Sequence, residues 1–206
     1  MIKYGINTFI WASPFQTKDL HLLEHARALG FDLVEIPIES IGDVDLGKAH
    51  EAYAATGLAG SVCAVMGANR DPSHPDKAIQ QAGIDYLKHC IDAVAAFGGH
   101  VLGGPLYAAV GRQWQQTPEM RKEDLARTAR NLRVAGDYAE KKGVKLALEP
   151  LNRFETSFIN LIEQALELVD LTGSPAVGLM IDTFHANIEE KNLGNAIEMA
   201  LASYHA

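Results

Sequence analysis

Cysteine is scarce in this 206-residue chain, and the signs of a secreted scaffold are missing with it. Cys63 and Cys90 are the only two, and they fit neither a disulfide framework nor a CxxC zinc or redox pattern. Reduced thiols are expected. No apolar run approaches the roughly 18 residues that span a bilayer, and the N-terminus lacks the charged start, apolar stretch and small-residue cleavage site of a signal peptide. The expectation is a cytoplasmic protein with no membrane partner. Basic clusters are missing as well. Eighteen Lys and Arg are spread along the chain against twenty-six Asp and Glu, and the net charge of −8 speaks against nucleic acid and for a small-molecule partner. There is no GxxxxGK[ST], and no GxGxxG between a strand and a helix, so nucleotide binding has no support. No Ser/Gly/Pro-rich linker, low-complexity tract or charge block divides the chain, and residues 1–206 read as a single domain.

What is present is an ordinary globular composition, 48% hydrophobic and 21% charged, with enough apolar mass for a sizeable core. Short apolar runs alternate with longer amphipathic stretches, the pattern of repeated βα units around a parallel sheet. Six strands are expected, at Tyr4–Phe9, Leu33–Pro37, Gly60–Val65, His100–Gly104, Lys145–Glu149 and Val177–Asp182. Helical patterns follow them at Lys18–Leu29, Asp45–Thr56, Asp76–Phe97, Pro118–Lys142, Ile159–Leu171 and Ile188–Ser203. Thr17, Asp76 and Thr117 stand where N-caps belong, Pro118 suits a first helical position, and Gly30, Gly57 and Gly143 follow helices as stops. Two α/β architectures accommodate this, an open doubly wound sheet or a TIM-barrel-type (β/α) repeat. A closed barrel takes eight units and typically about 250 residues, so about six of its eight βα units are present here.

Several short motifs have bland explanations. His21-Leu22-Leu23-Glu24-His25 fits the H-x-x-E-H pattern of zinc proteases. An apolar stripe of Leu22, Ala26 and Leu29 would leave His21 and Glu24 on a solvated outer face, which is the preferred reading. The glycines of Phe97-Gly98-Gly99-His100 and Leu102-Gly103-Gly104-Pro105 bracket a strand, and tight turns and close backbone approach account for them. Cys63 reads as a small buried hydrophobe, without a local base to activate it. Trp114 is equally a wall facing a ligand or a loop anchor.

The ends of strands five and six are more informative. Val144-Lys145-Leu146-Ala147-Leu148 runs into Glu149, and Val177-Gly178-Leu179-Met180-Ile181 runs into Asp182, with His185 three residues on. A carboxylate at a buried strand end is costly unless it is paired or metal-bound. Two on neighbouring strands suit a hard divalent cation such as Mn²⁺ or Mg²⁺, or acid/base chemistry; capping and ion pairing are the structural alternatives. Glu35, near another strand end, gathers nothing around it and is read as structural.

The stretches Leu148-Glu149-Pro150-Leu151-Asn152-Arg153-Phe154-Glu155-Thr156 and Ile181-Asp182-Thr183-Phe184-His185-Ala186-Asn187-Ile188-Glu189-Glu190 resemble those of the ketose 3-epimerases. These are the D-tagatose and D-allulose (psicose) 3-epimerase group of the xylose-isomerase-like sugar isomerase/epimerase barrels. The opening Lys3-Tyr4-Gly5-Ile6-Asn7-Thr8-Phe9-Ile10-Trp11 is similar too. The resemblance implies that Glu149 ligates a metal, Mn²⁺ foremost with Co²⁺ or Mg²⁺ as alternatives, and is one of two proton-transfer groups. It implies Asp182 as second ligand, His185 as a hydrogen bond to the substrate near O2, and Glu155 as holder of the sugar's terminal hydroxyl end. Cys63, Gly104 and Trp114 fall at substrate-pocket positions. A strand-seven metal-binding His, a strand-eight catalytic Glu and a substrate-binding Arg have no counterpart here, and His205 belongs to the end of the sixth helix. The resemblance therefore implies a barrel domain incomplete at its C-terminus. The activity implied is metal-dependent epimerisation at C3 of free ketoses of the D-tagatose, D-fructose and D-allulose type through a cis-enediolate. Aldose–ketose isomerisation, polyol dehydration and a non-catalytic truncated chain are the alternatives. With strands one and six left as open edges, a homo-oligomer is expected.

Overall fold

A computed structural model describes residues 2–113 and 116–203. Six strands, β1 (Gly5–Asn7), β2 (Leu33–Ile38), β3 (Ala59–Ala64), β4 (Val101–Gly104), β5 (Lys145–Leu148) and β6 (Val177–Leu179), form one sheet in sequential order, and every pairing is parallel. The connecting helices are α1 (Leu22–Ala28), α2 (Leu46–Thr56), α3 (Lys77–Ala96), α4 (Pro118–Lys142), α5 (Ile162–Thr172), α6 (Thr183–Glu189) and α7 (Leu193–Ser203). Parallel crossovers share one hand, so strands taken in sequential order put all the crossover helices on one face. Consecutive helices pack side by side from α1 to α5, and α5 packs on α7. The opposite face is the barrel interior. This is the α/β, TIM-barrel-type repeat of six units, one of the two architectures the periodicity allows, and the sequential strand order excludes the doubly wound sheet.

The core lies between sheet and helices. Val34, Ile36 and Ile38 of β2, Leu146 and Leu148 of β5, and Leu87, Ile91 and Val94 of α3 are fully buried in it. The period-2 alternation then turns Leu33, Glu35 and Pro37 to the interior. Register carries this across strands, pairing Asn7 with Glu35, Glu35 with Ser61, and Cys63 with Gly103.

Most elements fall where the pattern puts them, and α4 matches at both ends. Asp76 and Thr117 accept from Ala78 and Met120 backbone N–H groups as N-caps, and Gly57 and Gly143 close helices in the left-handed region. The differences have local causes. Strand β1 stops at Asn7, whose Oδ1 accepts from the Phe9 N–H and turns the chain into a 3-10 helix at Thr8–Ile10. Thr17 is not a cap; it begins a 3-10 turn, Thr17–His21, that precedes α1. The buried face of α1 is Leu23 and Ala26, while Leu29 points outward. Ile159 and Asn160 remain in a loop because the Tyr107 hydroxyl donates to Ile159 O and Asn160 Nδ2 donates to Leu151 O. The expected helix Ile188–Ser203 is two elements: α6 ends at Glu189, and Asn192 accepts from the Asn195 N–H as α7 begins.

Candidate active site

Strands β5 and β6 deliver their carboxylates by the same device. Ala147 and Gly178 are register partners facing the interior, so Glu149, two residues beyond Ala147, and Asp182, four beyond Gly178, emerge on that face at the outgoing rim. The Glu149 backbone N–H donates to Gly104 O at 3.0 Å, which ties the turn to β4. Asp182 Oδ1 accepts from the Phe184 and His185 N–H groups at 2.7 and 3.4 Å and caps α6. That helix carries His185 inward. Ligand atoms of Glu149, Asp182 and His185 lie within 4.8 Å of one another.

These groups line a cleft of about 660 Å³ together with Asn7, Glu35, Cys63, Glu155 and Met180. Glu149 is 8% exposed. Burial first, then the charge and hydrogen bond of Asp182, then the charges of Glu35 and Glu155, push its carboxyl up to about 8. Among the described residues no Lys or Arg forms an ion pair with Glu149 or Asp182; the contact of Glu149 is His185 Nε2 at 3.9 Å. Asp182 spends one oxygen on capping, as the structural alternative supposed, while Glu149 has neither cap nor cation. Glu155, at the mouth, accepts from Asn152 Nδ2 at 2.8 Å.

The structure thus brings Glu149, Asp182, His185, Glu155 and Cys63 around one cleft. Burial and the nearby Glu35 and Glu149 charges push the Cys63 thiol up, which keeps it protonated and unreactive. Gly104 is not in the cleft lining. Its φ is +121°, and a Cβ there would stand 2.5 Å from Ala64 O, so its place is a close strand crossing whose carbonyl holds Glu149. Trp114 and His205 lie outside the described residues. Two residues were passed over by sequence reasoning. Glu35, read as structural, faces the cleft and accepts from Asn7 Nδ2 at 2.8 Å and Ser61 Oγ at 3.1 Å; the alternation of β2 is the signal that could have placed it. Asn152 touches both Glu155 and His185.

Acidic side chains converging at the outgoing ends of parallel strands, inside a layer of helices, are the arrangement of a (β/α)-barrel enzyme site. The family model for the xylose isomerase-like TIM barrel matches residues 23–205, and the chain belongs to that family. It is 33% identical over 201 residues to an L-ribulose 3-epimerase of Mesorhizobium japonicum, covering 97% of this chain and 67% of that one. A solved L-ribulose 3-epimerase superposes with a TM-score of 0.89 at 34% identity, over 97% of this chain and 67% of that one. A D-psicose 3-epimerase of Clostridium cellulolyticum, solved with D-tagatose, gives 0.87 at 29% identity, over 97% and 70%. The chain spans about two thirds of the length of these relatives.

No helix among the described residues is long and apolar enough to cross a membrane.

Proposed function

We propose that this chain binds a free ketose in the cleft at the β5 and β6 rim and takes part in metal-assisted epimerisation at C3. The observation that carries this is the contact of Glu149 with Asp182, two carboxylates at neighbouring strand ends with no Lys or Arg partner among the described residues. The names of the relatives, L-ribulose 3-epimerase and D-psicose 3-epimerase, support the substrate class.

The chemistry of the pair fits a hard divalent cation, because the buried Glu149 carboxylate crowded against half-buried Asp182 is unfavourable without one. Glu149 and Asp182 would hold it, with Mn²⁺ foremost and Co²⁺ or Mg²⁺ as alternatives. Such an ion polarises the adjacent sugar oxygens as a Lewis acid. Glu149 takes the proton from C3, and the electron pair of the C–H bond passes onto the C2 carbonyl oxygen to give a cis-enediolate. Inversion at C3 needs a proton delivered to the opposite face by a second acid, the role the resemblance gives to a strand-eight Glu, and Glu149 supplies the half-reaction on its own face. His185 donates to the sugar near O2, and Glu155 accepts from its terminal hydroxyl end. Cys63 packs against the sugar as a small neutral wall. Gly104 acts behind the pocket, by holding the Glu149 turn.

The test is NMR of D-tagatose, D-fructose and L-ribulose incubated in D₂O with Mn²⁺ and the chain. Solvent deuterium should enter at C3, and Glu149→Gln, which keeps size and removes basicity, should abolish it. Deuterium at C1 or C2 with aldose product would move the assignment to an isomerase.

A further inference from the structure

Asn152 lies in the loop after β5 and is 2% exposed. Its side-chain amide has one orientation that satisfies its neighbours. The Phe154 backbone N–H, 2.9 Å from Oδ1, needs an acceptor, and the Glu155 carboxylate, 2.8 Å from Nδ2, needs a donor. Turned over, the amide would set an oxygen against a carboxylate and an NH₂ against an N–H. The same Nδ2 stands 2.8 Å from His185 Nδ1. The Asn152 backbone N–H, which can only donate, reaches that same ring nitrogen at 3.2 Å. Within hydrogen-bond distance Nδ1 therefore meets two N–H groups, the Glu155 carboxylate standing off at 3.9 Å, and the nitrogen serves as the acceptor, which leaves the ring proton on Nε2. Nε2 is the nitrogen 3.9 Å from Glu149 Oε1.

This has a consequence for the three-residue group at the rim. Distance alone would count His185 as a third metal ligand beside Glu149 and Asp182. A ring nitrogen that carries a proton has no lone pair for a metal. We infer that Asn152 is a positioning residue that holds His185 in its Nε2–H form, making it a hydrogen-bond donor to the ligand in the cleft instead of a metal ligand. Through Nδ2, Asn152 also couples the orientation of His185 to that of Glu155 at the mouth. Only the identity of the acceptor, a sugar oxygen, rests on the function proposed above; the proton's position does not.

Long-range ¹H–¹⁵N NMR of the ¹⁵N-labelled, metal-free chain reads the proton directly, with the His185 ring identified by its loss in His185→Gln. An unprotonated Nδ1 and a proton on Nε2 are expected. A proton on Nδ1 would overturn the inference. Cobalt titration followed by visible absorption gives a second reading. In the wild type, His185→Gln should leave the position and intensity of the Co²⁺ absorption bands unchanged, because a side chain outside the ligand set can weaken binding without altering the bands. Asn152→Ala removes the side-chain donor to Nδ1 and leaves only the backbone N–H, so the Nδ1–H form of His185 should appear in the same NMR spectrum. Changed Co²⁺ bands on His185→Gln in the wild type would sink the idea, as would an unaltered Nε2–H spectrum in Asn152→Ala. Asn152→Ser serves the same purpose should Asn152→Ala fail to fold. None of these readings needs sugar or turnover, so they fail separately from the deuterium experiment at C3.

Discussion

Burial governs Glu149 before any ligand arrives. With its carboxyl pushed up from the ordinary range near 4.5 to about 8, the folded state favours the protonated form more than the unfolded state does. That contribution to stability is fully present below the unfolded value and is lost as pH rises through about 8. In EDTA, the melting temperature should therefore decline between pH 5 and pH 8, by the equivalent of a few kcal/mol at most, and Glu149→Gln should flatten the decline. Divalent metal reverses the sign, because binding displaces the Glu149 proton. Mn²⁺ affinity should climb over the same window in calorimetric titration, and Asp182→Asn should weaken it at every pH. Glu149 and Asp182 were legible in the sequence because each ends an apolar run, where a charge is conspicuous. Glu35 was missed: the alternation of β2 turns it inward, but its hydrogen-bonded company appears only when β1 and β3 set Asn7 and Ser61 beside it.

Elements are held to one another by close approaches and by one buried ion pair. Gly99, after α3, crosses Gly60 of β3 so closely that a Cβ would collide with the Gly60 carbonyl oxygen. Gly99→Ala should cost about 3 kcal/mol in urea unfolding, as backbone cannot yield the way a side chain can. On the other side, Arg112 is buried, pairs with Asp124 of α4, donates to Ser73 Oγ at 2.5 Å and lies 4.2 Å over the Phe158 ring. Its backbone bridges Thr156, and the neighbouring Gly111 N–H donates to Glu155 O at 2.7 Å. The loops after β3, β4 and β5 thus meet at one guanidinium, next to the segment that carries Glu155. Asp124→Ala removes the carboxylate that pairs with the buried Arg112 and should cost about 3 kcal/mol, measured by chemical denaturation. Helix α6 escaped sequence reading because Met180 and Ile181 prolong the apolar run of β6 up to Asp182, its cap, so the three residues between strand and helix carry no Gly or Pro to mark the turn.

At the scale of the molecule, β1 and β6 each have a ladder partner on one side only among the described residues. Ile197, Met199 and Leu201 of α7 are exposed, as are Ile2 and Tyr4 ahead of β1. Open parallel edges with apolar surroundings favour strand addition. Self-association that grows with concentration is the expected result of light scattering on this chain, and a compact monomer at high concentration would contradict it.

Strand and helix alternation, the six βα units and the two rim carboxylates followed from the sequence alone, because burial periodicity and a charge after an apolar run are local properties. Which residues share the cleft did not. Glu35, Cys63 and Glu149 come from three strands with long helices between them, and sheet register alone brings them together. The form of His185 was likewise a tertiary matter. A histidine carries no mark of which nitrogen holds its proton until another loop, here that of Asn152, supplies the donors that settle it.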